Sequence, residues 1–387
     1  MIEFLSPVSE EVLEHQELLS DGTLGKQIQV HKQKGVLPEL EGVTFAVLGV
    51  QENRSNVGYV DDYISFNPYR KAFYSLYPGN WNSKIVDLGD ILKGDSVSDS
   101  RFALKTVVSA LLQKNIIPLI LGAGQDLVYA QYRAYDTFGQ MVNMVNIDNR
   151  FDLGNADLAI NNKSYVGKIV VDEPYNLFNY TVLGYQSFFN PPEEIALMDK
   201  LFFDAYRLGE LTANITLVEP AMRDADIVTL DASAIKSADL SYENTNSPNG
   251  FDGREICNLA RYAGISNKVT SFGVYEIGGS LIQKSGAMLI AQILWYFIEG
   301  VNFRIKDDEF DNDKLFTTYI VPVEDFDLIF KKSNKTERWW IEIPIISSLN
   351  NKIKRRTFLP CTYDEYLSAC NQEIPERWLK ARRKNEV

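Results

Sequence analysis

The chain has 387 residues, of which 45% are apolar and 12% aromatic, enough to bury a sizeable core and to exclude a disordered chain. Its net charge of −13 argues against nucleic acid or an anionic membrane surface as a partner. The three cysteines, Cys257, Cys361 and Cys370, are too scattered for a cysteine-rich zinc site and suit free thiols in a reducing compartment.

Residues 1–40 read as a polar, partly helical lead-in. The first of them are acidic where a signal peptide would be basic, so a cytoplasmic location is expected. The two histidines, His15 and His31, both fall here, so nothing later in the chain offers an imidazole as metal ligand or general base. After the lead-in, apolar runs rich in β-branched residues alternate with amphipathic segments. Strands are expected at 43–50, 84–88, 116–121, 141–147, 168–171, 180–183, 226–230 and 269–275. Continuous apolar runs of this kind mark strands covered on both faces. Helices are expected at 101–114, 193–208, 254–263 and 281–303 from apolar residues at three- and four-residue spacing. The most apolar stretch, 285–301, is too short to span a bilayer and carries Gln292 and Glu299. The alternation predicts a three-layer, doubly wound, mostly parallel α/β sheet over residues 41–305.

The pattern changes in residues 306–387. Strands at 316–321, 327–331 and 338–345 follow one another without helices between them. Helices at 363–369 and 376–384 come after, which makes this part an α+β extension. Trp339 and Trp340 in RWWIEIP read as strand packing. The basic residues at the end of the chain, Lys352 to Arg356 and Arg377 to Lys384, read as a solvated tail.

Open parallel sheets bind ligands at the carboxyl ends of their strands. Here four strand ends are more polar than a core requires: LGAGQD (121–126), NIDNRFD (146–152), TLDASAIKSAD (229–239) and VYEIGG with Glu276. The first lacks the third glycine of a dinucleotide loop, since Leu127 stands in its place, so its glycines are read as tightening a strand-to-helix turn.

In order and spacing, these strand ends resemble the ureohydrolases, the family of arginase, agmatinase and formimidoylglutamase. The family's Gly-Gly-Asp-His turn corresponds to Gly122-Ala123-Gly124-Gln125. Its Asp-Ala-His-x-Asp motif corresponds to Asp148-Asn149-Arg150-Phe151-Asp152. Its Ser-x-Asp-x-Asp motif corresponds to Thr229-Leu230-Asp231-Ala232-Ser233. GFDGREI (250–256) is similar to the family's Gly-Gly-Leu-x-x-Arg-Glu helix start, and VLGVQENRSNVG (47–58) to its first strand and loop. The resemblance implies a fold of the arginase/deacetylase type over residues 40–305, with an extension like that of the formimidoylglutamase branch. It also implies a substrate-facing glutamate at Glu276 and a tendency to form homo-oligomers.

The family places two Mn²⁺ ions at these motifs, and they activate a bridging hydroxide for attack on an amidino carbon. Both histidine ligands are replaced here, by Gln125 and Arg150, and one aspartate by Ser233. An arginine has no lone pair to give a metal. The expectation is therefore that the manganese pair is lost. No cofactor is expected, with one Mg²⁺ or Ca²⁺ on Gln125, Asp148, Asp152 and Asp231 as the alternative. Arg150 is expected to replace the lost ion with forked hydrogen bonds to Asp148 or Asp231. Otherwise Lys236 or a proton must offset the buried carboxylates. The chain is then a binding or scaffold protein whose small-molecule or protein partner is unknown. The alternative is a hydrolase of linear amidines that uses a single ion.

Overall fold

A computed structural model describes residues 1–58, 63–241, 247–278, 284–323, 326–343 and 358–386. Nine strands form the main sheet: β1 (Gln29–Val30), β2 (Val43–Val50), β3 (Lys84–Ile91), β4 (Ile117–Gly122), β5 (Val142–Ile147), β6 (Leu177–Tyr185), β7 (Asp204–Arg207), β8 (Ile227–Asp231) and β9 (Ser271–Tyr275). Their order is β1-β3-β2-β4-β9-β8-β5-β6-β7, and each neighbouring pair is parallel.

The continuous apolar runs are explained by cover on both faces. Along β2, Phe45 and Val47 point to one layer, where helices Asn67–Tyr74, Gly253–Ile265 and Lys284–Asn302 pack. Ala46 and Leu48 point to the other, against helices Val97–Leu112, Val128–Arg133 and Tyr165–Val171. Burying each such side chain contributes roughly 1.5–3 kcal/mol. Among the aromatic contacts, Phe272 of β9 stacks on Phe297 at 4.4 Å between centroids. Among the described residues, three helices begin with reciprocal caps, Ser96 with Asp99, Asp252 with Glu255 and Thr362 with Glu365, each satisfying end N–H groups that the helix leaves unpaired.

Three expectations need correction. The run 168–171 is helical: Tyr165, Val166 and Ile169 are buried at helical spacing while Val171 is exposed, so packing overrides the β-branched composition. The helix expected at 193–208 stops at Lys200, and residues 204–207 form the edge strand β7. The basic end of the chain is not a free tail. Helix Glu376–Glu386 docks on that edge, where Lys380 donates to the Phe203 carbonyl at 3.1 Å and Lys384 donates to Asn179. Covering the edge removes a template for pairing with another chain.

The extension forms an antiparallel sheet of β10 (Phe316–Val323), β11 (Phe326–Ser333), β12 (Trp339–Glu342) and β13 (Phe358–Cys361), in that order. It has its own core of Val323, Phe330, Ile341, Leu359 and Trp378. Residues 281–283 of one expected helix, 344–345 of one expected strand and the basic cluster at 352–356 lie outside the described residues. Among the described residues, no helix is long and apolar enough to cross a membrane.

Candidate functional site

The four polar strand ends belong to β4, β9, β8 and β5, which are neighbours at the centre of the sheet. Parallel pairing puts their carboxyl ends side by side, so residues far apart in sequence meet in one cleft of about 390 Å³. Arg150, Asp152, Asp231, Ser233 and Glu276 line it, with Lys163 and Phe189 at its sides.

The first turn explains its glycines. A Cβ on Gly122 would come within 2.2 Å of the Tyr275 ring, so only glycine lets β4 lie this close to β9. The next residue but two, Gln125, is fully buried. Its amide donates to Asn146 Oδ1 and Tyr165 Oη, each at 3.2 Å, and its Oε1 has no hydrogen-bond partner among the described residues.

Asp148, Asp152 and Asp231 are all buried, and each brings a carboxylate oxygen within 4.8 Å of the others. Asp148 accepts from the Arg150 backbone N–H at 2.9 Å and from Asn146 Nδ2 at 2.9 Å. Asp231 accepts from the Ser233 N–H at 2.6 Å. Asp152 Oδ2 has no hydrogen-bond partner among the described residues. Asp152 and Glu276 also adopt left-handed backbone, with φ of 52° and 57°. Strain of that kind costs about 1–3 kcal/mol and collects at functional sites. Burial pushes all three aspartates above the usual carboxylate range, and the charge of Asp231 adds to this at Asp148. At Asp152 the neighbours Asp148 and Asp231 both add to it.

Glu276 closes the floor. It accepts from the Gln125 N–H at 2.9 Å, from Asn162 Nδ2 at 3.1 Å and from Asn56 Nδ2 at 3.3 Å. Burial, followed by the charge of Asp231, pushes its carboxyl up to about 8.

Arg150 departs from its expected place. Its guanidinium makes no ion pair with Asp148 or Asp231. It donates to the Phe189 carbonyl at 2.6 Å and lies over the Phe189 ring, 4.7 Å from the centroid. The turn Ser187–Phe189 after β6 offers an exposed acceptor and an aromatic face at the half-buried rim. A guanidinium there keeps part of its hydration, which it would lose among the buried aspartates. The guanidinium therefore acts on Asp152 and Asp231 as a nearby charge, not through forked hydrogen bonds. Lys236 is also elsewhere, paired with Asp239 at 3.6 Å. Ser233 accepts from Asn149 Nδ2, at its carbonyl (2.8 Å) and at its hydroxyl (3.2 Å). Both histidines bind main-chain carbonyls outside the cleft, His31 those of Leu88 and Gln33, and His15 that of Lys71.

The motifs do not reveal the supports of the site. Asn146 links Asp148 to Gln125 and to Tyr165 Oη at 3.0 Å, and its Oδ1 accepts from Thr229 at 2.8 Å. Asn56 and Asn162 hold Glu276 from two separate loops. Only Asn146 had a signal, being polar inside an otherwise buried strand.

A doubly wound parallel sheet with these acidic side chains at its central strand ends is the architecture of the ureohydrolases. Residues 65–299 match the arginase family. The chain belongs to that family. Formimidoylglutamases are among its relatives. That of Lysinibacillus sphaericus is 23% identical over 271 residues, covering 65% of this chain and 82% of the relative. That of Streptococcus gordonii is 24% identical over 286 residues, covering 68% and 86%. Among solved structures, formimidoylglutamase from Bacillus subtilis superposes with a TM-score of 0.63 at 15% identity, covering 76% of this chain and 99% of that one. The Trypanosoma cruzi formiminoglutamase with Mn²⁺ superposes with a TM-score of 0.62 at 16% identity, covering 69% and 96%.

The last of these corrects an expectation. The relative carries manganese, so neither the absence of a cofactor nor a lone Mg²⁺ or Ca²⁺ is the right premise for this fold. Whether this chain suits manganese turns on its own donors. The carboxylates of Asp148, Asp152 and Asp231, gathered within 4.8 Å, suit a divalent ion, and Gln125 Oε1 and Asn149 Oδ1 are further buried oxygens without a hydrogen-bond partner among the described residues. The positions of a second ion differ in kind, with an arginine at 150, which has no lone pair to give, and a neutral hydroxyl at Ser233.

Proposed function

We propose that this protein is an arginase-family binding protein that holds one manganese ion and a small amidino-type ligand, and that it has lost two-ion hydrolysis. The observation that carries the reading is the cluster of Asp148, Asp152 and Asp231, buried within 4.8 Å of one another with Arg150 turned away to Phe189. Arg150 and Lys163 offset these carboxylates only as nearby charges and no cation among the described residues is paired directly with them, so the cluster favours a bound cation or a proton.

Asp148, Asp152, Asp231 and Gln125 Oε1 are the groups that would hold the ion. When bound, manganese supplies the missing charge and acidifies a water in its shell. Glu276 receives the ligand. Burial holds its carboxyl above the usual range, and a cationic amidino group that pairs with it favours the ionised form. Asn56 and Asn162 fix its direction. No imidazole is near to carry a proton, since His15 and His31 are engaged elsewhere. This favours binding over turnover.

A second reading is a slow, single-ion hydrolase of linear amidines. The raised Glu276 carboxyl, facing the same floor as Asp231, favours it as a proton-exchanging group. The test is manganese titration with metal counting, paired with formamide and urea release from formimidoylglutamate and agmatine. One ion per chain and no product is the expected result. One ion with product would select the second reading, and two ions with turnover would overturn both.

A further inference from the structure

A second cleft, of about 600 Å³, lies where the extension meets the α/β sheet. One wall is the short helix Glu219–Asp224, and the other is β12 with the start of helix Tyr363–Cys370. Its electrostatics are unbalanced. Arg223 and Arg338 share a single carboxylate, that of Glu219, at 3.1 and 3.2 Å. Lys332 adds a third cation at the mouth, against the exposed Glu337 at 3.7 Å.

Arg223 is the unusual group. Its side chain is 7% exposed, and burial pulls its guanidinium below the ordinary arginine value. One face lies on the Trp340 ring at 4.4 Å. Only Nη2 is engaged, with Glu219 and with the Cys361 carbonyl at 3.1 Å, while Nε and Nη1 have no hydrogen-bond partner among the described residues. A buried guanidinium N–H without an acceptor is costly, and such groups are seldom left unmatched. The cleft also has an aromatic wall. Tyr319 lies 5.1 Å from Trp339, Trp339 stacks on Tyr366 at 4.7 Å, and Tyr366 stacks on Tyr363 at 5.8 Å. Tyr363 is exposed. Trp339 belongs to the core of the extension, while Tyr319 and Tyr366 are half-buried and border the cationic opening.

We propose that this junction cleft is a second ligand site that takes a small aromatic anion, with its acid group on Arg223 and Arg338 and its ring against the Trp339–Tyr366 wall. Arg338 is partly exposed and can meet a charged acceptor directly, and Nε and Nη1 of Arg223, which have almost no accessible surface, meet it when the side chain shifts toward the cleft. An aromatic ring gains from stacking on the exposed end of the wall. The acid group can be a carboxylate or a phosphate, since both match a guanidinium fork.

The probes are benzoate and phenyl phosphate, with benzamide and inorganic phosphate as controls. Each is titrated into the full chain and followed by tryptophan fluorescence and ligand line broadening. The expected result is saturable binding of at least one aromatic anion, with both controls at least about tenfold weaker. Which anion binds tighter identifies the acid group. Arg338→Gln should weaken binding about tenfold or more, and Arg223→Gln should do the same if circular dichroism shows it folded. Asp231→Asn, in the other cleft, should leave it unchanged. Failure of both aromatic anions to saturate would overturn the proposal. So would equal binding by Arg338→Gln, or inorganic phosphate binding as tightly as phenyl phosphate.

Discussion

Replacing Asp152 by asparagine should stabilise the metal-free protein and abolish its response to manganese. The side chain is buried, one of its oxygens has no hydrogen-bond partner among the described residues, and its left-handed backbone is one that asparagine tolerates. Two carboxylates with oxygens no more than 4.8 Å apart repel by about 3.5 kcal/mol or more at an effective dielectric constant near 20. Asp152 faces two such neighbours, but taking up a proton limits the cost. With its folded pKa raised, the protonated group contributes stability below the unfolded value, and that stability falls as pH rises through the folded value. Relaxation and the desolvated amide reduce the gain further, so near neutral pH Asp152→Asn should add about 2 kcal/mol. For a chain of 387 residues that raises Tm by about 2–3 °C. The gain should vanish in acid, where the carboxyl is protonated in both states. With manganese the sign reverses, because wild type gains ligand-linked stability and the variant does not. The assay is a set of melting curves at acid and neutral pH, with and without Mn²⁺. Destabilisation of the metal-free protein near neutral pH, or a wild-type manganese shift in the variant, would refute the uncompensated-carboxylate account.

Other outcomes follow from the same geometry. Arg150→Ala should cost only about 1 kcal/mol in chemical denaturation, since the guanidinium meets a rim carbonyl and a ring rather than the buried aspartates; a loss above about 3 kcal/mol would return it to the carboxylates. Glu276→Gln should gain on wild type as pH rises from about 4.5 to 8 and stay level above that, by up to a few kcal/mol, because the folded carboxyl is the harder one to ionise. A stability profile parallel to wild type across that window would count against it. Joint replacement of Gln125 by His, Arg150 by His and Ser233 by Asp should raise the manganese count from one to two per chain, as read by elemental analysis. If the count stays at one, the motifs have been matched wrongly.

Much of the fold was legible because its strands are covered on both faces. Val43–Val50 is mostly apolar and buried at every position but Thr44, and Val142–Ile147 is buried throughout, with Asn143 and Asn146 its only polar residues. Segment 168–171 was not legible, because its β-branched composition favours a strand while its partners demand a helix. The edge strand β7 is too short and too exposed to show any period.

The candidate site divides the same way. Motif order alone placed Gln125, Asp148, Asp152, Asp231 and Glu276 at strand ends, since the residue type and its place after a strand are local facts. That β4, β9, β8 and β5 are neighbours, and so bring those ends into one cleft, is a property of strand order, which no local pattern contains. Side-chain direction was decided last. Arg150 follows the local geometry of the Ser187–Phe189 turn, contributed by residues about forty positions away, because a half-solvated rim costs a guanidinium less than a buried carboxylate cluster does. The asparagines on Glu276 come from two loops with no relation in sequence. The junction cleft needs an arginine of the α/β sheet and aromatic residues of the extension. Composition and spacing determined which groups are present, and long-range packing determined which of them meet.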